Sequence, residues 1–248
     1  MNITNKTVLI TGGGSGIGFE IAKLLSQKGN KVIITGRTET KLEKAAAQLN
    51  NVSIIATDVN NETDVDSLVN KISKEFGGLD ILINNAGSAY SYKLAEGANA
   101  YDKATEEIQT NYLSIIRLTE KLLPALKASK EAAIVNVTSI VAFVPGINLP
   151  TYAASKAALH SYTRALRYTL ALTTGIKVFE LMPPLVNTEF SAGVGGINGI
   201  PPLEVAEGLI VGFEKDEYEL HIGKTADIYK LYLHSPQEAL NTLNQGRE

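Results

Sequence analysis

The chain has 248 residues, 44% hydrophobic and 20% charged, with a formal net charge of −3; it is long enough for one sizeable core and carries no basic field of the kind that binds nucleic acid. It has no cysteine, which excludes disulfides, thiolate nucleophiles and zinc–sulfur sites, and its three histidines, His160, His221 and His234, are too scattered for a metal site. With no signal-type apolar segment at the N-terminus and no run of about 18 apolar residues, an unprocessed cytoplasmic protein without membrane insertion is expected.

Short β-branched runs alternate with longer helical stretches, which predicts βαβ units around a parallel sheet, an α/β doubly wound fold. Thr7–Thr11 (TVLIT) reads as a buried strand, followed by glycine-rich TGGGSGIG and a helix to about Lys28, stopped by Gly29. Lys31–Thr35 is the second strand, with a helix to about Leu49; Val52–Thr57 is the third, with a helix over Glu62–Phe76. Leu79–Ile83 is the fourth strand and ends in NNAG. Helices around Tyr101–Asn111 and Tyr112–Ser129 lead to the fifth strand, Ala132–Thr138, then a helix over Tyr152–Thr173 and the sixth strand, Ile176–Leu181. Pro183–Pro202 is rich in glycine and proline and too long for an idle connection, so it is expected to be a lid or substrate loop. Leu203–Glu214 predicts a helix, Glu217–Gly223 a seventh strand, and the remainder is helical; no linker divides 1–248 into two domains.

Two parts of this pattern carry chemistry. Tyr152 and Lys156 stand four residues apart on a predicted helix, where side chains share a face with Cβ atoms roughly 5–6 Å apart. A phenol ordinarily titrates near pH 10, with each unit about 1.4 kcal/mol. An ammonium at about 4 Å contributes on the order of 4 kcal/mol at an effective dielectric near 20, enough to lower that value by two or three units. Such a tyrosine can give a proton to a carbonyl oxygen or take one from an alcohol. On many helices the same pair is simply a solvated face. The strand–glycine–helix opening presents bare N–H groups and a helix dipole to an anion, with Gly12, Gly16 and Gly18 allowing close approach. Its GxxxGxG spacing differs from the common GxGxxG dinucleotide fingerprint. At the end of the second strand, Gly36 leaves the acidic ribose-binding position empty and Arg37 offers a planar fork suited to a 2′-phosphate, which favours NADP(H) over NAD(H). In the competing arrangement Arg37 is solvated and Glu39 serves a ribose.

With TGGGSGIG, NNAG, Ser139 and YAASK in order, the sequence resembles the short-chain dehydrogenase/reductase family over nearly its whole length. The resemblance implies one Rossmann-like domain with a seven-stranded parallel sheet, a nicotinamide cofactor, a small carbonyl or alcohol substrate, and a homodimer or homotetramer. It implies Tyr152 as acid/base, Ser139 bonding the substrate oxygen, Lys156 on the nicotinamide ribose, and Asn111 holding a water that links Lys156 to solvent. It further implies cofactor contacts from Gly12, Ser15, Gly16, Ile17 and Gly18, from Asp58 and Val59 at the adenine, from Asn85, Ala86 and Gly87 near a ribose, and from Val186 and Thr188 at the carboxamide. Taken singly, Asn111 is a capping asparagine, Ser139 a strand-end hydroxyl and Asp58 a turn cap. Substrate is expected between Ser139/Tyr152 and Tyr90, Tyr92, Phe143, Val144 and the 183–202 loop; ordinary packing explains these aromatics equally well. The usual Pro-Gly after the sixth strand is Pro183-Pro184 here, a stiffer entry lacking one N–H. With YELHIGKT, the PPLVNTEF segment is similar to the branch found beside lipoteichoic-acid D-alanylation genes. A catalytically silent NADP(H)-binding sensor or scaffold is the second reading, and a full Ser/Tyr/Lys/Asn set argues against it. Epimerase and dehydratase relatives resemble longer chains.

Overall fold

The central strands are apolar on both sides because both sides are covered. In the computed structural model, which describes residues 1–246, seven strands make one all-parallel sheet: β1 (Thr7–Thr11), β2 (Lys31–Gly36), β3 (Val52–Ala56), β4 (Ile81–Asn84), β5 (Ala133–Val137), β6 (Lys177–Met182) and β7 (Glu219–His221). The helices are α1 (Gly16–Gln27), α2 (Glu39–Ala46), α3 (Glu62–Phe76), α4 (Ala100–Ile108), α5 (Ser114–Ala128), α6 (Pro150–Thr173), α7 (Pro202–Lys215), α8 (Lys224–His234) and α9 (Pro236–Asn244).

Because successive strand residues point to opposite faces, each strand feeds two cores. Val8, Ile10, Val32, Ile34, Ile81 and Ile83 pack with Ile21 and Leu25 of α1, Leu42 of α2 and Leu209 and Phe213 of α7. Leu9, Ile33, Leu82 and Ile134 pack on the other face with Leu68 and Ile72 of α3, Leu118 and Leu122 of α5 and Leu170 of α6. Most of these side chains are fully buried, each contributing about 1.5–3 kcal/mol of transfer free energy.

The strand order is β3-β2-β1-β4-β5-β6-β7, so the winding reverses between β1 and β4. Crossovers leave in opposite directions there and a crevice opens beyond the carboxyl ends of the strands, the usual place for a ligand in such sheets. Asparagines brace the adjoining pair β4 and β5: Asn84 Nδ2 donates to Asn136 Oδ1 at 2.8 Å, and Asn136 Nδ2 donates to Thr163 Oγ1 on α6 at 2.9 Å. The two helices expected around Tyr101–Asn111 and Tyr112–Ser129 are joined without a break, because no glycine or proline stands between them. A π turn over Gln109–Leu113 absorbs one extra residue and carries α4 into α5. The segment after β6 forms two short 3₁₀ turns, Glu189–Val194 and Gly196–Asn198, closed by a bridge between Val186 and Ile200. Among the described residues no helix is long and apolar enough to cross a membrane.

Candidate active site

The crevice is a cleft of about 1250 Å³. At one end is the N-terminus of α1, where the Ser15 side chain makes no capping bond and leaves the first-turn N–H groups available. Gly12 and Gly16 have φ of +66° and +56°, a backbone that favours glycine; a side chain at Gly16 would also meet Thr188 Cγ2 at 3.1 Å. The loop's shape is set from β4. Asn85 Nδ2 donates to the Thr11 and Gly12 carbonyls at 2.9 and 3.1 Å, and the Asn85 and Ala86 N–H groups both donate to Thr11 Oγ1 at 3.0 Å. Such a cradle, with bare N–H groups and no room for side chains, suits a pyrophosphate. Arg37 is exposed at the cleft wall and, among the described residues, has no hydrogen-bond or ion-pair partner. Asp58 also lines the cleft, and its Oδ1 accepts from the Asn60 N–H at 2.9 Å, so the turn-capping role holds as well.

Ser139, Tyr152 and Lys156 meet at the cleft floor. Ser139 caps a short 3₁₀ turn, accepting from the Val141 N–H at 3.3 Å, which leaves its own O–H free to donate. Lys156 is buried; its Nζ donates to the Val137 carbonyl at 2.8 Å and lies 5.7 Å from the centre of the Tyr152 ring. Burial pushes the ammonium down to about 8, against the pull of the buried Glu180 carboxylate. Burial also pushes the Tyr152 phenol up, and the nearby Glu107 charge adds to this, while the Ser139 hydroxyl works in the opposite direction. The net direction at Tyr152 is therefore upward, not the depression expected from Lys156 alone. Glu180 accepts from Thr138 Oγ1 at 2.7 Å and faces His160 Nδ1 at 2.9 Å, which accounts for one histidine as a structural partner.

Two expected site residues stand one layer behind the cleft. Gly18 does not line it: a Cβ there would lie 2.5 Å from the Gly12 carbonyl, so its role is to let α1 pack on the glycine loop. Asn111 is fully buried in the π turn, with Oδ1 accepting from the Ser88 N–H and Nδ2 donating to Ser88 O and Ser155 Oγ, so its side chain is spent on protein partners. Gly87 keeps space beside it, since a Cβ there would sit 3.2 Å from Asn111 Oδ1 and 3.9 Å from Lys156 Nζ. Gly12, Ser15, Gly16, Ile17, Arg37, Asp58, Val59, Asn85, Ala86, Gly87, Val186 and Thr188 all line the cleft. Of the aromatic candidates only Tyr90 does. Tyr92 Oη bonds Thr151 Oγ1 at 2.7 Å, Phe143 packs on Tyr229, and Val144 is buried. Sequence reasoning missed Leu149, Ile228 and Leu243, which line the cleft from outside any motif and pack against the cluster of Ile140, Val141, Tyr152 and Ala153.

A doubly wound sheet with this constellation at its switch point defines a class of nucleotide-dependent oxidoreductase folds, and comparison narrows it. The profile of the short chain dehydrogenase family matches residues 6–195, and the chain belongs to that family of oxidoreductases. It is 42% identical over 188 residues, 76% of this chain and 74% of the relative, to the uncharacterized oxidoreductase DltE of Bacillus subtilis (strain 168), in keeping with the branch expected from PPLVNTEF. A short-chain dehydrogenase from Burkholderia cenocepacia J2315, solved in complex with NADP, is 26% identical, with a TM-score of 0.85 and 98% of each chain covered. One from Burkholderia phymatum, in complex with NAD, is 20% identical with a TM-score of 0.86, covering 99% of this chain and 97% of that one, a likeness of fold.

Proposed function

We propose that the chain is an NADP(H)-dependent oxidoreductase moving a hydride between the nicotinamide and a carbonyl or secondary alcohol carbon, with Tyr152 as acid/base. The observation that carries this reading is the convergence of Ser139, Tyr152 and Lys156 on the floor of a cleft that begins at the open N-terminus of α1. Gly12, Ser15, Gly16 and Ile17 would hold the pyrophosphate, Asp58 and Val59 the adenine, Ala86 and Gly87 a ribose, Lys156 the nicotinamide ribose, and Val186 and Thr188 the carboxamide. When bound, the nicotinamide supplies or accepts the hydride. The protein supplies the proton. In reduction, Tyr152 Oη gives its proton to the carbonyl oxygen, and in oxidation it takes the alcohol proton back; the Ser139 O–H donates to the same oxygen. A phenol is protonated at neutral pH, the form that reduction needs, and burial shifts Tyr152 further the same way. The Lys156 charge, facing the same space, stabilises the phenolate left behind.

A preference for NADP(H) is supported by the missing carboxylate at Gly36 and by the Arg37 guanidinium, which has no partner among the described residues. The chain acts as one domain with 183–202 as its substrate loop, in the cytoplasm, as a homodimer or homotetramer. The exposed Tyr168 and Leu172, one turn apart on α6, support an assembly that covers them.

The test is oxidation of NADPH and NADH at equal concentration across a panel of aldehydes and ketones. Turnover should be faster with NADPH, vanish in Tyr152→Phe, and lose about tenfold of its NADPH preference in Arg37→Ala. NADPH binding without Tyr152-dependent turnover would favour the sensor reading, and an unchanged preference in Arg37→Ala would remove the cofactor argument.

A further inference from the structure

Helix α9 reaches the cleft through Leu243. Asn244, the last residue of α9, is buried; its Oδ1 accepts from the Ile147 N–H at 2.8 Å, and its Nδ2 donates to the Pro145 and Leu240 carbonyls at 3.0 and 2.9 Å. Ile147 and Pro145 belong to the loop between Ser139 and Tyr152, so this one amide ties α9 to the segment joining the two hydroxyls. The residue before it, Leu243, lines the cleft and, like Leu149 and Ile228, packs against the cluster of Ile140, Val141, Tyr152 and Ala153. A second cavity of about 90 Å³ also borders Tyr152; Ala89, Leu149, Phe190, Gly193 and Val194 line it together with one polar residue, Ser91. The polar lining residues contributed by α8 and the C-terminal segment, Lys224, Thr242 and Gln245, are exposed and stand at the rim.

We propose that α9, latched by Asn244, is the closing wall of the substrate pocket, and that Leu243 makes that pocket selective for an apolar aldehyde or ketone. This rests on reading Ser139 and Tyr152 as the pair that binds the carbonyl. Such a pocket gains affinity from apolar area and fixes orientation with its few polar groups, here the two hydroxyls. Loss of methylene contacts in a site of this kind costs about tenfold or more in binding.

The probe is 6-propionyl-2-(dimethylamino)naphthalene, an apolar aryl ketone whose emission moves to the blue in apolar surroundings, titrated into the full chain with saturating NADP⁺. Wild type should bind it with a blue shift, Leu243→Ala about tenfold more weakly, and Leu243→Asp not measurably, while both Leu243 variants still bind NADP⁺ by calorimetry. Asn244→Ala should weaken binding and speed amide exchange at residues 146–149. Equal binding by wild type and Leu243→Asp, or no blue-shifted binding by wild type, overturns the inference. A chain that binds no NADP⁺ by calorimetry faults the functional reading instead, so the two failures appear in different arms.

Discussion

Lys156 holds its charge where burial opposes it, and that sets a pH dependence with a definite sign. Its folded value near 8 lies below the 10.5 of a free lysine, so between those pH values the unfolded chain binds more protons and stability rises with pH. Lys156→Met removes this contribution. The variant should melt above wild type at pH 7, with the gap shrinking by about 3 kcal/mol as pH approaches 10.5; thermal unfolding of both proteins across pH 7–10.5 measures it. A constant gap would mean the ammonium is not penalised by burial. In catalysis the same group gives reductive kcat/KM an alkaline limb near pH 8, as the charge facing Tyr152 is lost, and a profile flat to pH 10 would contradict that role. The i, i+4 spacing of Tyr152 and Lys156 was legible in the sequence; the direction of the Tyr152 shift was not. It depends on burial and on Glu107, which α4 brings in from 45 positions upstream.

At the scale of the element, the start of α1 meets two separate demands with the same residue type. Strand, glycines and helix predict the anion cradle, yet glycine is needed at 12 and 16 for backbone conformation and at 18 for contact with the Gly12 carbonyl. A pattern of glycines does not separate these causes, because both look alike in one dimension. Gly18→Ala forces its Cβ against backbone and should cost about 2 kcal/mol in urea unfolding while weakening NADPH binding. Gly175→Ala, with open space around its Cβ and no positive φ, should change stability by less than about 0.5 kcal/mol. If the two variants were equally stable, close packing of α1 on the glycine loop would not explain Gly18. The π turn between α4 and α5 was illegible for a related reason: nothing in QTNYL marks an added residue, and the turn is visible only as a longer backbone bond from Ser114 to Gln109.

For the whole molecule, continuous apolar runs and the order of elements were enough to foresee a sheet covered on both faces, since such runs bounded by helical stretches admit few other arrangements. What the pattern withheld was the return of α9 to the cleft, because Asn244 and Leu243 carry no spacing signal and meet Ile147 and the cluster that includes Tyr152 only after the sheet has formed. The exposed pair Tyr168 and Leu172 likewise acquires meaning only on an assembled surface. Sedimentation should show a dimer or tetramer for wild type and a smaller species for Tyr168→Glu/Leu172→Glu, and an unchanged mass in the double variant would move the interface elsewhere. The central claim, that a buried tyrosine delivers its proton beside the nicotinamide, is tested most directly by a crystal structure with bound NADPH. The reactive ring carbon should open onto the same space as Tyr152 Oη and Ser139 Oγ, with the ribose on Lys156 and the 2′-phosphate on Arg37. A nicotinamide ring bound away from that floor, with Tyr152 enclosed in hydrocarbon, would contradict it.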